Sequence, residues 1–459
     1  MSHGVFINEG PEDWQILQQV NGCADIVLAG IWKSCGKCNM ARVFARVVKE
    51  ESGEPVLQWF ECMAAGEGRW TGVARNIPAG GLYRIETCLN QEDEPIQWSK
   101  RGDMIHHVGV GDIFVIAGQS NSAGYGKSPV YDPPEIGIHL YRNNGEWDLA
   151  SHPMNESTGS IHPVNTETSN PGHSPYLSFA KNIKKALGYP IGLIQSSLGG
   201  SSLNSWNPSE DGRLYKSMLE SIKINGGRIK GVLWYQGCSD TSPEWSENYL
   251  ERFLYMVNAL RKELNDKEIP FLTVQLNRAV SASTHVMDSG WGKVREAQRM
   301  AARTISNVFV IPSLDCQLSD RIHNSSSANM LLGERLARMA ISEIYGIAGI
   351  CKAPDINRII SLDEKTLCLY FDNIYLQLDA MELPAEDLPF QIEDREGTIA
   401  VTGYSIKDKN KLLLYLKREL KGKTCVHCAY GQNPEAVLPI DLGSYLPVLA
   451  FMGVEVEEK

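Results

Sequence analysis

Two features of this chain could together make a nucleophile: a serine on a tight glycine-containing turn, and an aspartate three residues before a histidine. Ser120 lies in Ala117-Gly118-Gln119-Ser120-Asn121-Ser122-Ala123-Gly124, between an apolar run of strand length and a helix-like start. Such a turn exposes the hydroxyl and aims the serine's own N–H at an oxyanion formed beside it. A serine at a helix start also serves as an N-cap, and this segment alone does not separate the two roles. Far along the chain, in Ser319-Asp320-Arg321-Ile322-His323-Asn324, the spacing lets the Asp320 carboxylate fold back on one ring nitrogen of His323 while the other faces Ser120. An imidazole held so can take the serine proton. By itself, Asp-x-x-His reads more readily as a capping aspartate beside a surface histidine.

Two further segments could hold a developing negative charge. Ser196-Ser197-Leu198-Gly199-Gly200-Ser201-Ser202 carries paired glycines that let the backbone approach a ligand, so Gly200, or failing that Gly199, is the candidate second oxyanion donor after the Ser120 N–H. A flexible turn is the plainer reading of that pair. In Trp234-Tyr235-Gln236-Gly237-Cys238-Ser239-Asp240, the Gln236 amide could supply a third donor or could simply bind loop backbone.

The elements around these segments predict where they meet. Apolar runs at Ile113–Ala117, Ile191–Gln195, Gly231–Tyr235, Phe271–Gln275 and Val308–Pro312 alternate with stretches of helical spacing. Leu177, Ala180, Ile183, Ala186 and Leu187 make one apolar face, and Tyr249, Phe253, Met256, Val257, Leu260 and Leu264 make another. Strands alternating with amphipathic helices imply a parallel sheet covered on both faces, an α/β three-layer arrangement. In such sheets ligands sit beyond the carboxyl ends of the strands, where all four segments fall. A last helix, about Ser327 to Tyr345, should end at Gly346. Before Asp112, bursts such as Ile26–Leu28, Ala41–Val48, Val56–Phe60 and Leu82–Thr87 predict an all-β region. After Ala353-Pro354, strands are expected at Thr366–Phe371, Ile374–Leu378, Ile399–Thr402, Lys411–Leu416 and Thr424–Ala429. The expected domains are therefore 1–110 (all-β, sandwich-like), 111–350 (α/β) and 351–459 (β-rich, sandwich-like). Ser151–Pro175, rich in Ser, Thr, Asn, Pro and His, reads as a long surface loop, and loops of that length are often functional.

Gly118-Gln119-Ser120-Asn121, Gly199-Gly200, Trp234-Tyr235-Gln236-Gly237 and Asp320-x-x-His323 together resemble the motif blocks of the sialate O-acetylesterase branch of the SGNH (GDSL-like) hydrolases, which also includes acetylxylan esterases. Trp291 through Gln298, and Tyr430–Pro434 through Leu446–Phe451, extend the resemblance over most of the chain. It implies a flavodoxin-like catalytic domain and a serine carboxylic-ester hydrolase that removes acetyl groups from sugar hydroxyls. The triad would be Ser120, His323 and Asp320, with Ser120 N–H, Gly199 or Gly200 N–H and Gln236 as the oxyanion hole. Gln119, Asn121, Trp206, Trp234 and Asp240 are then expected to contact substrate, with Trp245 or Trp291 as further stacking candidates, although tryptophan here is core at least as often. One departure stands out: the family often has Gln-Gly-Glu-Ser where this chain has Cys238, so the carboxylate must come from Asp320. A Cys238 nucleophile lacks an assigned base.

The formal charge of −11 disfavours a nucleic-acid partner, which draws its affinity from clustered Lys and Arg. With 43% hydrophobic and 22% charged residues and no apolar run of spanning length, no membrane association is expected. Met1 to Trp14 lacks the features of a secretory signal, and the 11 cysteines suit reduced thiols, so a cytoplasmic location is expected. Cys35/Cys38 and Cys425/Cys428 have zinc-ligand spacing but read more plainly as unlinked thiols, so neither metal nor cofactor is expected. A homo-oligomer is compatible with the sequence. Alternatives to the sialate-type substrate are an acetylxylan or xylo-oligosaccharide ester, a longer acyl ester, or a carbohydrate-binding protein with impaired catalysis.

Overall fold

The computed structural model describes residues 3–34, 41–65, 68–91, 93–434 and 437–458. The central sheet runs Trp147–Leu149, Ile138–Tyr141, Ile191–Gln195, Lys100–Gly118, Gly231–Tyr235, Phe271–Val274, Val308–Ile311. Every pair along this path is parallel except the first, which is an antiparallel hairpin. The parallel strands are largely apolar and buried, as strands covered on both faces must be. Connections leave Lys100–Gly118 first toward Ile138–Tyr141 and Ile191–Gln195, then cross to Gly231–Tyr235 on its other side. The order reverses there, and in open α/β sheets the crevice at such a reversal is where ligands bind.

The helices keep most of the predicted faces, with Ala186 exposed instead. Tyr176–Leu187 buries Leu177, Ala180 and Ile183 and ends at Gly188 in the left-handed region, and Tyr249–Glu263 buries Phe253, Met256, Val257 and Leu260. The last helix, Ser326–Glu343, is capped by Ser325, whose Oγ accepts the Ala328 N–H at 3.2 Å. It packs on Tyr176–Leu187 so closely that a methyl group on Gly333 would fall 2.2 Å from the Pro175 carbonyl oxygen.

Lys100–Gly118 is the longest strand and serves two regions. Its first half pairs antiparallel with Gly80–Gln91, its second half lies between the two parallel neighbours, and it crosses residues 110 and 111 without a break. Cys23–Lys33, Arg69–Pro78, Gly4–Glu9 and Met63–Ala65 form a separate antiparallel sheet. The C-terminal region is an eight-stranded sheet in which only Asp355–Asp363 and Phe451–Glu457 run parallel. Each region has its own apolar cluster, around Trp70, Phe114 and Phe371 respectively. The expected strand at Ile374–Leu378 shrinks to Leu378–Asp379, because the Asp441 carboxylate takes the Tyr375 and Leu376 N–H groups that a ladder would need. Among the described residues, no helix is long and apolar enough to cross a membrane.

Candidate active site

Ser120 follows Gly118 at the carboxyl end of the longest strand. Gly118 has φ +125°, and a Cβ there would meet the Tyr235 carbonyl oxygen at 2.3 Å, so the turn admits only glycine. The Gln119 N–H donates to Tyr235 O at 3.0 Å, and its side-chain oxygen accepts the Gly237 N–H at 2.9 Å, stitching the first segment to the third. Ser120 opens the one-turn helix Ser120–Ala123 with 9% of its surface exposed, and its N–H has no hydrogen-bond partner among the described residues.

The turn 319–324 brings in the base. The Ser319 N–H donates to His323 O at 2.8 Å, and Asp320 Oδ1 accepts the N–H groups of Ile322 and His323, each at 2.8 Å. His323 Nδ1 lies 2.7 Å from Asp320 Oδ2, and His323 Nε2 lies 2.9 Å from Ser120 Oγ. Partial burial raises the Asp320 carboxyl, but the Ile322 N–H and the His323 contacts outweigh it and hold the group below the usual carboxylate range. A charged carboxylate facing Nδ1 assigns the ring proton there and leaves the Nε2 lone pair toward the serine.

Asn121 locks this turn in place. Its side-chain oxygen accepts the Asn324 N–H at 3.0 Å, and its amide donates to Ile322 O at 3.2 Å, one residue on either side of His323. Asn324 is held by the Asn277 amide at 2.6 Å and donates to the Tyr235 hydroxyl at 3.1 Å. The other face of His323 stacks on Tyr125, with centroids 4.7 Å apart and planes at 27°. Asn277, Asn324 and Tyr125 escaped the sequence reading; the position of Asn324 beside His323 was the one available signal.

The two glycines part company. The Gly199 N–H is already given to Glu167 Oε2 at 2.8 Å, whereas the Gly200 N–H has no partner among the described residues and Gly200 faces open space at φ +68°. Gln236 is fully buried and committed. Its amide nitrogen faces Asp240 Oδ2 at 2.5 Å and Ser201 O at 3.2 Å, and its oxygen accepts from the Tyr249 hydroxyl at 3.0 Å. It holds loop backbone together, so the expected third donor is corrected to a scaffold residue.

Several expected substrate contacts are corrected in the same way. Asp240 is buried, accepting from Leu203 N at 2.9 Å and paired with Arg252 at 3.1 Å. Trp206 and Trp234 are core, meeting edge to face at 5.4 Å, and the Trp206 N–H is bonded to Ser201 Oγ. Trp291 is also buried, with the Arg295 guanidinium 5.4 Å from its ring centre. Of the four tryptophans only Trp245 is half-exposed, its ring covered by Arg252. Gln119 and Asn121 spend their polar atoms on the neighbouring loops. Burial pushes the Cys238 thiol up to about 12, which keeps it un-ionised.

Two clusters among the described residues have metal-ligand composition: Asp132, His152 and His173, and Glu393, Cys425 and His427. In each, a backbone N–H points at an Nδ1, from Ser174 to His152 at 3.4 Å and from Gly453 to His427 at 3.3 Å. A donor at Nδ1 places the ring proton on Nε2, the atom facing the cluster, which is the wrong tautomer for ligation. In the first cluster both Nε2 atoms instead lie 3.1 Å from Asp132 Oδ2, with Lys181 on the other oxygen. Cys425 is half-buried and Cys428 buried, both as free thiols, while Cys35 and Cys38 lie outside the described residues.

Known proteins bear on this arrangement. Residues 110–342 match the family model for carbohydrate esterases, sialic acid-specific acetylesterase. A probable carbohydrate esterase of Arabidopsis thaliana is 30% identical over 255 residues, covering 50% of this chain and 90% of the relative. Human sialate O-acetylesterase is 24% identical over 310 residues, and the match spans 54% of either chain. In fold, the chain is similar to a carbohydrate acetylesterase from Xanthomonas citri, with a TM-score of 0.69, 22% identity, and coverage of 96% of this chain and 97% of that one. With the family model spanning just over half of its 459 residues, the chain belongs to the carbohydrate esterase family of sialic acid-specific acetylesterases.

Proposed function

We propose that this protein is a carbohydrate O-acetylesterase that hydrolyses acetyl esters on sugar hydroxyls, with Ser120 as nucleophile, His323 as general base and acid, and Asp320 as its orienting carboxylate. The observation that carries this is the unbroken contact from Asp320 Oδ2 to His323 Nδ1 (2.7 Å) and from His323 Nε2 to Ser120 Oγ (2.9 Å). Ser120 Oγ attacks the acetyl carbonyl as its proton passes to Nε2. The tetrahedral oxyanion is met by the unpartnered N–H groups of Ser120 and Gly200. Collapse expels the sugar oxygen, which takes the proton back from Nε2 and leaves an acetyl-serine. Water, deprotonated by His323, then releases acetate and restores the serine.

A short acyl group is the one we favour by likeness to the family. A 9-O-acetylated sialic acid is the substrate we favour by likeness to the family, with acetylated xylo-oligosaccharides as the alternative. We further read residues 111–350 as a three-layer α/β/α domain between sandwich-like regions 1–110 and 351–459, and place the enzyme in the cytoplasm, where small imported sugars would be its substrates. Acetate release from 9-O-acetyl sialic acid, acetylated xylo-oligosaccharides and an acetylated neutral monosaccharide tests the reading, with Ser120→Ala alongside. Release by the wild type and a loss of ~10³-fold or more in the variant are expected. No release from any substrate, or an active Ser120→Ala, overturns it.

A further inference from the structure

The Ser151–Pro175 loop reaches the candidate site through one acid. Glu167 is half-buried, and its carboxylate receives the N–H of Gly199 at 2.8 Å, the side-chain amide of Asn155 at 3.2 Å and the N–H of Ser169 at 3.2 Å. The Tyr125 hydroxyl ends at the same spot. A Cβ on Gly199 would lie 2.7 Å from Glu167 Oε2 and 2.8 Å from that hydroxyl, so Gly199 is the gap in which they meet. Burial first, and Glu167 beside it, push the Tyr125 hydroxyl up to about 12, so it stays protonated and able to donate. The Tyr125 ring is the one stacked on His323, and its backbone oxygen accepts from Ser319 Oγ at 3.4 Å, in the turn that carries His323.

We propose that Tyr125 and Glu167 form a positioning pair for the Ser120–His323 chemistry: Tyr125 holds the plane of the imidazole, and Glu167 holds the Gly199–Gly200 turn so that the Gly200 N–H faces the oxyanion. The inference rests on the triad reading above. Neither residue touches the reacting atoms. Glu167 draws the Gly199 N–H away from the site, which rotates the next peptide and leaves the Gly200 N–H as the free one. A glutamine could keep the Gly199 and Asn155 bonds through its one oxygen and would lose only the Ser169 N–H, whereas alanine removes the acceptor altogether. Tyr125 works through its ring face, which limits the tilt of an imidazole that must keep Nε2 within hydrogen-bond reach of Oγ.

The test compares kcat and KM for Tyr125→Phe, Tyr125→Leu and Glu167→Ala in the full chain, beside Ser120→Ala and His323→Ala. Phenylalanine keeps the ring and should hold kcat within about 3-fold of wild type, while leucine, of similar bulk without an aromatic face, should lose about 30-fold in kcat with little change in KM. Glu167→Ala should lose on the order of 10²-fold in kcat, the usual effect of misplacing one oxyanion donor. A residue that merely packs the loop would lower the melting temperature and leave kcat of the folded enzyme intact. Wild-type kcat in both Tyr125→Leu and Glu167→Ala, or losses confined to KM, overturns the pair while inactive Ser120→Ala and His323→Ala leave the triad standing. Active Ser120→Ala or His323→Ala brings down the triad and the pair with it.

Discussion

Replacing Asp320 with asparagine separates two jobs that its carboxylate does at once. Oδ1 caps the turn by accepting the N–H groups of Ile322 and His323, and Oδ2 faces His323 Nδ1 at 2.7 Å. Asparagine can keep both Oδ1 bonds, so the turn and the melting temperature should survive. Its NH₂, however, takes the place of Oδ2 and presents a donor to Nδ1. The imidazole then carries its proton on Nε2 and offers Ser120 a donor where an acceptor is needed. In Ser-His-Asp enzymes this tautomer error costs ~10⁴ in kcat. Here the Asp320 side chain is 47% exposed, so water competes at Nδ1 and the loss should be smaller, roughly 10²–10³-fold, or about 3–4 kcal/mol in the barrier. Alanine loses the caps but imposes no wrong tautomer. Initial rates of acetate release should therefore put Asp320→Asn at or below Asp320→Ala in kcat, although the asparagine variant melts higher. If asparagine instead stays near wild type while alanine collapses, Asp320 only caps the turn and another group must orient the base.

Trp206→Ala should destabilise the fold by about 3–5 kcal/mol in denaturant unfolding, since the ring is fully buried, and should not act as the loss of a sugar contact in KM. Cys238→Ala should keep kcat within about 3-fold, because a thiol pushed up to about 12 is not the nucleophile; a 100-fold loss would reverse that assignment. His139 is buried with Nδ1 2.5 Å from Trp14 O, and burial lowers its pKa from 6.5 to about 4. Its folded pKa lies below the unfolded one, so the unfolded chain binds the proton first. Its stabilising effect is complete above pH 6.5 and is lost as pH falls toward 4, with a slope approaching ~1.4 kcal/mol per pH unit that His139→Asn should remove in unfolding experiments at successive pH values.

The parallel strands and their helices were legible because burial on both faces writes a continuous apolar run, and Ile191–Gln195 and Gly231–Tyr235 appear with the expected ends. The polar half of Lys100–Gly118, with Lys100, Arg101, Asp103, His106 and His107, carries no such run, and its pairing with Gly80–Gln91 went unseen. At the candidate site, residue types at strand ends pointed to Ser120, Asp320 and His323, but the same logic overcounted. Gln236, Asp240, Trp206 and Trp234 sit in equally suggestive positions and are absorbed by neighbours 4 to 37 residues away.

Local spacing suffices to specify a strand, a helix face, a glycine turn or a carboxylate three residues from a histidine, because each depends on the geometry of a few consecutive residues. Which polar groups remain free depends on partners brought from elsewhere in the chain. Glu167 claims one glycine N–H and leaves its neighbour open, and Asn121 joins two segments 203 residues apart. That outcome is set by packing, where each donor can be given only once, and no local pattern records which acceptor reaches it first.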